Sequence, residues 1–162
     1  MRVAVLADTH LPRGRRRLPD ACLRALRAAS LIVHAGDFCT VAVHDELRAI
    51  GPPLVAVRGN VDERGLRAIL PLRTVIERAG MRIGVIHDAG PARGRLARLA
   101  RAFPDADAVI FGHSHLPLHE RDRSGFQIFN PGSPTERRRA RTRAMGIATI
   151  EPGKIRFRHL EL

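Results

Sequence analysis

The chain has 162 residues, 44% of them apolar, and a formal net charge of +12. That length suits one domain that buries roughly two-thirds of its unfolded surface, so no disulfide framework is required. No apolar run approaches the ~18 residues of a membrane span. Of the 28 basic residues only Lys154 is a lysine, so the charge reads first as the arginine bias of a GC-rich genome and only second as a nucleic-acid surface.

The chain opens directly on an apolar run, Met1–Ala7, which reads as a buried strand with no secretory leader before it. Pro19-Asp20 then starts a helix through Ala29, with Leu23 and Leu26 at helical spacing. Leu31–His34 is a second strand. Val41–Ile50 is a helix stopped by Gly51-Pro52-Pro53, and Leu54–Val57 is a third strand. A short helical piece spans Glu63–Ile69. Arg73–Arg78 and Met81–His87 form a hairpin around Ala79-Gly80. Gly94–Arg101 is a third full helix, followed by the buried strand Ala108–Phe111. The last third reads as antiparallel strands: Leu118–Arg121, Phe126–Asn130, Ala144–Glu151 and Lys154–Leu160, with turns at Asp122–Gly125 and Pro152-Gly153.

Alternating strands and helices followed by hairpins predict an α/β (α+β) fold: two mixed β-sheets flanked by helices, in one domain over residues 1–162. Six Phe are the only aromatic residues, so aliphatic side chains must carry the core. Cys22 and Cys39 are read as free thiols of a reducing cytoplasm.

Chemistry-bearing residues gather just past the C-terminal ends of five of these strands. Asp8-Thr9-His10 follows the first, and its i, i+2 spacing on extended chain points a carboxylate and an imidazole the same way. Gly36-Asp37 follows the second. Asp37 has two oxygens and can bridge two ions, although alone it would read as a helix N-cap. Gly59-Asn60 follows the third, and Asn60 offers a neutral carbonyl ligand or an ordinary turn residue. His87 ends the hairpin strand. Gly112-His113-Ser114-His115 places two imidazoles at i, i+2 after a buried strand. Each has a bland structural explanation, but five such coincidences at the same place relative to five strands favour a single cleft. Hard oxygens mixed with imidazoles suit divalent metals, Mn²⁺ foremost with Fe, Zn or Ni as alternatives, and metal pairs of this kind hydrolyse phosphate esters.

This series, D-x-H, G-D, G-N, H and G-H-x-H, resembles the calcineurin-like metallophosphoesterases. The resemblance runs from Asp8 to the Asn130-Pro131-Gly132-Ser133 segment. The small size, Asn60-Val61-Asp62 and that N-P-G-S segment resemble its compact bacterial and archaeal phosphodiesterase branch. The resemblance implies a two-sheet sandwich with helices outside. It implies one ion on Asp8, His10, Asp37 and His115, a second on Asp37, Asn60, His87 and His113, and Asp37 as the bridge. It also implies a hydroxide held between the ions that attacks a small phosphodiester, with Asp37, Asn60 and His113 closest to the chemistry.

One departure is informative. Many members follow the Asn with a His that can protonate the leaving group, whereas here the residue is Val61, so His113 or a metal-bound water is left for that task. Arg13 and Arg15, in the loop after His10, are read as substrate-phosphate contacts, with a solvated face as the alternative. The run Arg137–Arg139 is read as solvated or partner-facing. Two further functions compete: a non-catalytic interaction scaffold of the same fold, like the retromer subunit, and a nuclease acting on nucleic-acid strands. The second is weakened because base-stacking aromatics are few and no extra module is evident. The oligomeric state is open, a dimer being compatible with the sequence.

Overall fold

The computed structural model describes all 162 residues, Met1–Leu162. In chain order the elements are β1 (Arg2–Leu6), α1 (Asp20–Arg27), β2 (Leu31–His34), α2 (Val41–Arg48), β3 (Leu54–Ala56), α3 (Arg64–Ile69) and β4 (Arg73–Arg78). They continue with β5 (Met81–Ile86), α4 (Arg95–Ala102), β6 (Ala108–Ile110), β7 (Leu118–Arg121), β8 (Gln127–Asn130), β9 (Ala144–Glu151) and β10 (Lys154–Glu161). Every predicted element is present, and its ends lie within two residues of the sequence reading.

Two five-stranded mixed sheets result, ordered β10-β9-β1-β2-β3 and β4-β5-β6-β8-β7. In the first sheet β1, β2 and β3 run parallel, and in the second β5, β6 and β8 do. The last third is therefore not one antiparallel set. The β7–β8 hairpin places β8 parallel to β6, while β9 crosses to the first sheet and pairs antiparallel to β1. Alternation within strands shows only that one face of each is apolar. Which sheet receives the strand is decided by long-range pairing.

Strand alternation builds the layers. Val3, Val5, Ala7 and Val33 point inward and meet Ile83, Val85, Ile110 and Phe129 of the second sheet in one buried cluster. The alternate residues Ala4, Leu6 and Ile32 face outward and pack under Cys22, Leu26, Val43 and Leu47 of α1 and α2. On the other side Val109, Phe111 and Ile128 lie under Leu99 and Phe103. The result is a helix–sheet–sheet–helix sandwich. Each buried aliphatic side chain contributes about 1.5–3 kcal/mol, so the three clusters need no further staple. Both cysteines are free and buried, and no helix is long and apolar enough to cross a membrane. The parallel strands of both sheets end on the same edge, and that edge carries the site.

Candidate metal centre

Five short segments leave that edge. Asp8 and His10 follow β1, Asp37 follows β2, Asn60 follows β3, His87 follows β5, and His113 with His115 follows β6. All seven come together. His10 Nε2 lies 3.1 Å from His115 Nε2 and 3.5 Å from Asp37 Oδ2. His115 Nε2 is 3.3 Å from Asp8 Oδ1. On the other side His87 Nε2 lies 3.3 Å from Asp37 Oδ2 and 3.1 Å from Asn60 Oδ1. His113 Nδ1 is 3.0 Å from the same Asn60 oxygen. Asp37 Oδ2 thus sits between the two histidine groups, as a bridging oxygen would. Asp8 spans them too, because it groups both with His10 and His115 and with Asp37 and His87.

The backbone is strained to achieve this. Asp8, His10, Asp37, His113 and His115 all have positive φ, between 46° and 69°. Left-handed conformation costs non-glycine residues of order 1 kcal/mol each and persists where the surroundings impose it, commonly at functional sites. The glycines before the ligands have a steric cause. A Cβ at Gly59 would collide with the Asp37 carboxylate, and one at Gly36 would lie 2.7 Å from His87 Nδ1. Glycine is what lets two loops from neighbouring strands touch.

Supporting residues hold the donors in place. His87 Nδ1 donates to Ala35 O over 2.7 Å, which aims Nε2 inward. Asp62, fully buried, accepts from Asp37 N (3.2 Å) and Gly59 N (2.6 Å) with one oxygen and from Cys39 N (2.9 Å) with the other. It pins the Asp37 and Asn60 loops together, and Arg67 braces its far side by donating to Asp62 O and Asn60 O. His34 accepts from Gly36 N on Nδ1, so its Nε2 faces Thr9 Oγ1 at 3.2 Å as the donor, and the ring stacks on Phe38. Both nitrogens are engaged, so His34 is a brace rather than a metal donor. Ser133 Oγ donates to Asp8 O, and Asn130 Nδ2 donates to Gly112 O. The N-P-G-S segment therefore stabilises the Asp8 and His113 loops.

Sequence reasoning left Asp62 and His34 without a role. The only available signals were an acidic residue two positions after Asn60 and a histidine at a strand's end, and neither declares its partners. Asp37 is not a helix cap: Thr40 Oγ1 and Glu63 Oε1 accept from the first amides of α2 instead. Arg13 and Arg15 are both exposed, and only Arg13 lies close enough for its charge to act on His10 and Cys39. Arg138, from a run read as solvated, is exposed yet lies 3.5 Å from Glu136. Its charge reaches Asp8, His10 and His115.

The electrostatics are those of a cation site. Burial raises the Asp8 carboxyl to about 7, a push that the neighbouring imidazole of His87 only partly offsets. Burial also works against the Asp37 charge, but His87 beside it and the Val61 N–H outweigh burial and bring it to about 2. His87 is correspondingly raised: burial opposes its charge and Asp37 prevails. Burial, then Arg138, lowers His115 to about 4, and burial lowers His10 as well. His10, His115 and Asp37 are thereby held in the protonation states that metal ligands require, whereas Asp8 and His87 must give up a proton to a cation.

A divalent ion fits these residues. Asp8 Oδ2 is buried without a hydrogen-bond partner, a costly condition that a cation relieves. His10 and His115 direct their Nε2 atoms at each other over 3.1 Å, so with both tautomers protonated on Nδ1 the two lone pairs would face one cation. Burial divides the set: Asp8, His10, Asp37, His87 and His115 are buried, whereas Asn60 and His113 are exposed and open the rim to solvent.

Comparison with known proteins agrees with this geometry. The calcineurin-like phosphoesterase superfamily domain matches residues 1–153. The chain belongs to that superfamily. It is 34% identical over 138 residues to a protein of Methanothermobacter thermautotrophicus named a probable metallophosphoesterase, covering 83% of this chain and 78% of that one. A protein of the same name from Methanocaldococcus jannaschii is 36% identical over 138 residues, covering 83% and 69%. In fold the chain is similar to Entamoeba histolytica Vps29 complexed with zinc, with a TM-score of 0.78, 24% identity and 99% coverage of both chains. Metallophosphoesterase membership and the clustered donors together support a metal-dependent phosphoester hydrolase.

Proposed function

We propose that this calcineurin-like metallophosphoesterase is a two-metal phosphodiesterase acting on a small phosphodiester. The observation that carries the reading is the position of Asp37 Oδ2 between His10 and His87, 3.5 and 3.3 Å from their Nε2 atoms. One metal would be held by Asp8, His10, Asp37 and His115. The other would be held by Asp37, Asn60, His87 and His113. Mn²⁺ is the first metal to test, since mixed oxygen and imidazole donors suit it, with Fe, Zn and Ni as alternatives.

Divalent ions in such a site polarise phosphoryl oxygens and lower the pKa of water to about 7. The chain's own residues do the rest. Asp37, held ionised, keeps negative charge between the two histidine groups. Asn60 adds an oxygen without adding charge. His113, exposed on the rim 3.0 Å from Asn60 Oδ1, is the group best placed to pass a proton to a departing alkoxide. Val61 offers no proton in that place; its N–H instead fixes Asp37 Oδ1 over 3.0 Å.

The likeness to Vps29 favours a second reading, a binding scaffold of the same fold. All seven donor positions are filled, which favours the enzyme, but because that neighbour itself carries zinc, turnover rather than metal binding separates the two readings. A screen of phosphodiesters, phosphomonoesters, cyclic nucleotides and nucleic-acid strands decides, together with metal analysis of Mn²⁺-loaded protein. The expected result is two ions per chain with turnover of small diesters above monoesters. Failure to retain metal under excess would overturn the enzyme reading.

A further inference from the structure

Beside the rim, a cavity of about 360 Å³ shares Asn60 and His87 with the metal centre. Its wall continues through Ile86, Leu72 and Asp88. Leu72 is 63% exposed, the most of any large apolar side chain in the chain, and nothing in the protein covers it. The surface it presents is mostly apolar although two arginines border it. Each guanidinium has one bond directed away from the cavity, although Arg58 Nε is buried without a partner. Arg58 Nη1 donates to Arg67 O, and Arg73 donates to Ala102 O while lying 5.7 Å over the Phe103 ring. Asp88 Oδ1 accepts from Gly90 N over 2.7 Å, which holds the turn after His87 in shape.

We propose that this cavity is the subsite for one ester substituent of the substrate, and that it selects an uncharged, ring-bearing group the size of an aryl ring or a nucleobase. The inference rests on the phosphoesterase reading above. A phosphoryl group held near Asn60 and His87 must project a substituent toward whatever adjoins them, and this cavity does. Its volume lies at the lower end of the ~300–1,000 Å³ range of small-molecule pockets and far exceeds what a methyl ester fills. Apolar walls favour a ring.

The test compares binding of methylphosphonate and phenylphosphonate to Mn²⁺-loaded protein by calorimetry. The two ligands carry the same phosphonyl group and differ in the substituent. Burying a phenyl ring at about 25 cal/mol per Å² predicts an aryl preference of at least ~10-fold. Leu72→Ser should bring the ratio toward one, whereas Leu72→Met should retain it. Leu72 is on the surface, so neither change threatens folding. A native ratio near one, no measurable phenylphosphonate binding, or a ratio indifferent to Leu72→Ser overturns the subsite. Diester turnover is measured separately on the same protein. Turnover without aryl preference sinks only the subsite, and aryl preference without turnover sinks only the enzyme reading.

Discussion

Asp37 carries the heaviest single role. Its carboxylate stands between the two histidine groups, and the neighbouring His87 keeps it ionised at about 2. Asp37→Asn removes that charge with almost no change in shape. Metal content should fall at both positions and turnover by at least ~10²-fold, with an unchanged circular dichroism spectrum. His10→Ala should weaken chiefly the ion shared with Asp8 and His115. Full metal retention and normal turnover in Asp37→Asn would reduce Asp37 to a loop residue. Val61 sets a second expectation. With no imidazole there, log kcat/KM should decline steeply with leaving-group pKa. Val61→His should flatten that slope, with a gain on poor leaving groups of up to ~10²-fold, the lower end of general-acid effects. A flat slope in the native protein, with chemistry rate-limiting, would identify a proton donor already in place, and His113 would be the first substitution to make.

Among the elements, the loops after β2 and β3 depend on one buried side chain. Asp62 accepts three backbone N–H groups from these loops, and Asp37 Oδ1 adds one more bond across them by accepting from Val61 N. Asp62→Ala leaves three amides unsatisfied. Allowing for water entering the gap, the loss is about 3 kcal/mol, or roughly 6–12 °C in Tm for a chain of this length. Because the clamp aligns Asp37 with Asn60, metal content should fall along with Tm. A variant that loses stability but binds metal as before would show that the loops find their places without the clamp. On the opposite side Glu136 plays a lesser part. It pairs with Arg16 at 3.0 Å and stands 3.5 Å from His115 Nδ1, linking the loop after β1 to the one before β9.

At the scale of the whole molecule, the site couples stability to pH and metal. The folded Asp8 carboxyl, raised by burial from 3.8 to about 7, binds its proton more tightly than the unfolded chain does. The sign follows: between those two values the folded state holds the extra proton, so this group's contribution falls as pH rises, and above about 7 the full cost of a buried charge is felt. A bound cation offsets that cost and itself requires deprotonated ligands. The Tm increment from saturating Mn²⁺ should therefore grow from pH 5 to pH 8. An increment independent of pH would mean that Asp8 is not among the metal's ligands.

The sequence by itself determined the elements, since apolar runs and their Gly and Pro breaks are local facts. It also determined the candidate donors, because a ligand just past a strand's end repeats a pattern visible along the chain. The motif order further pointed to the superfamily that the comparison then showed. What only the tertiary structure decided depends on neighbours distant in sequence. The strand order put β8 parallel to β6 and brought six strand ends to one edge. Three backbone amides from two loops gave Asp62 its clamp. Stacking on Phe38 and bonds to Gly36 and Thr9 made His34 a brace rather than a ligand. The fold of the loop before β9 brought Arg138 within reach of the buried ligands while Arg15 stayed in solvent. Residue type states which bonds a side chain can make, and packing chooses among them, because a buried donor or acceptor must be satisfied by whatever the fold places beside it.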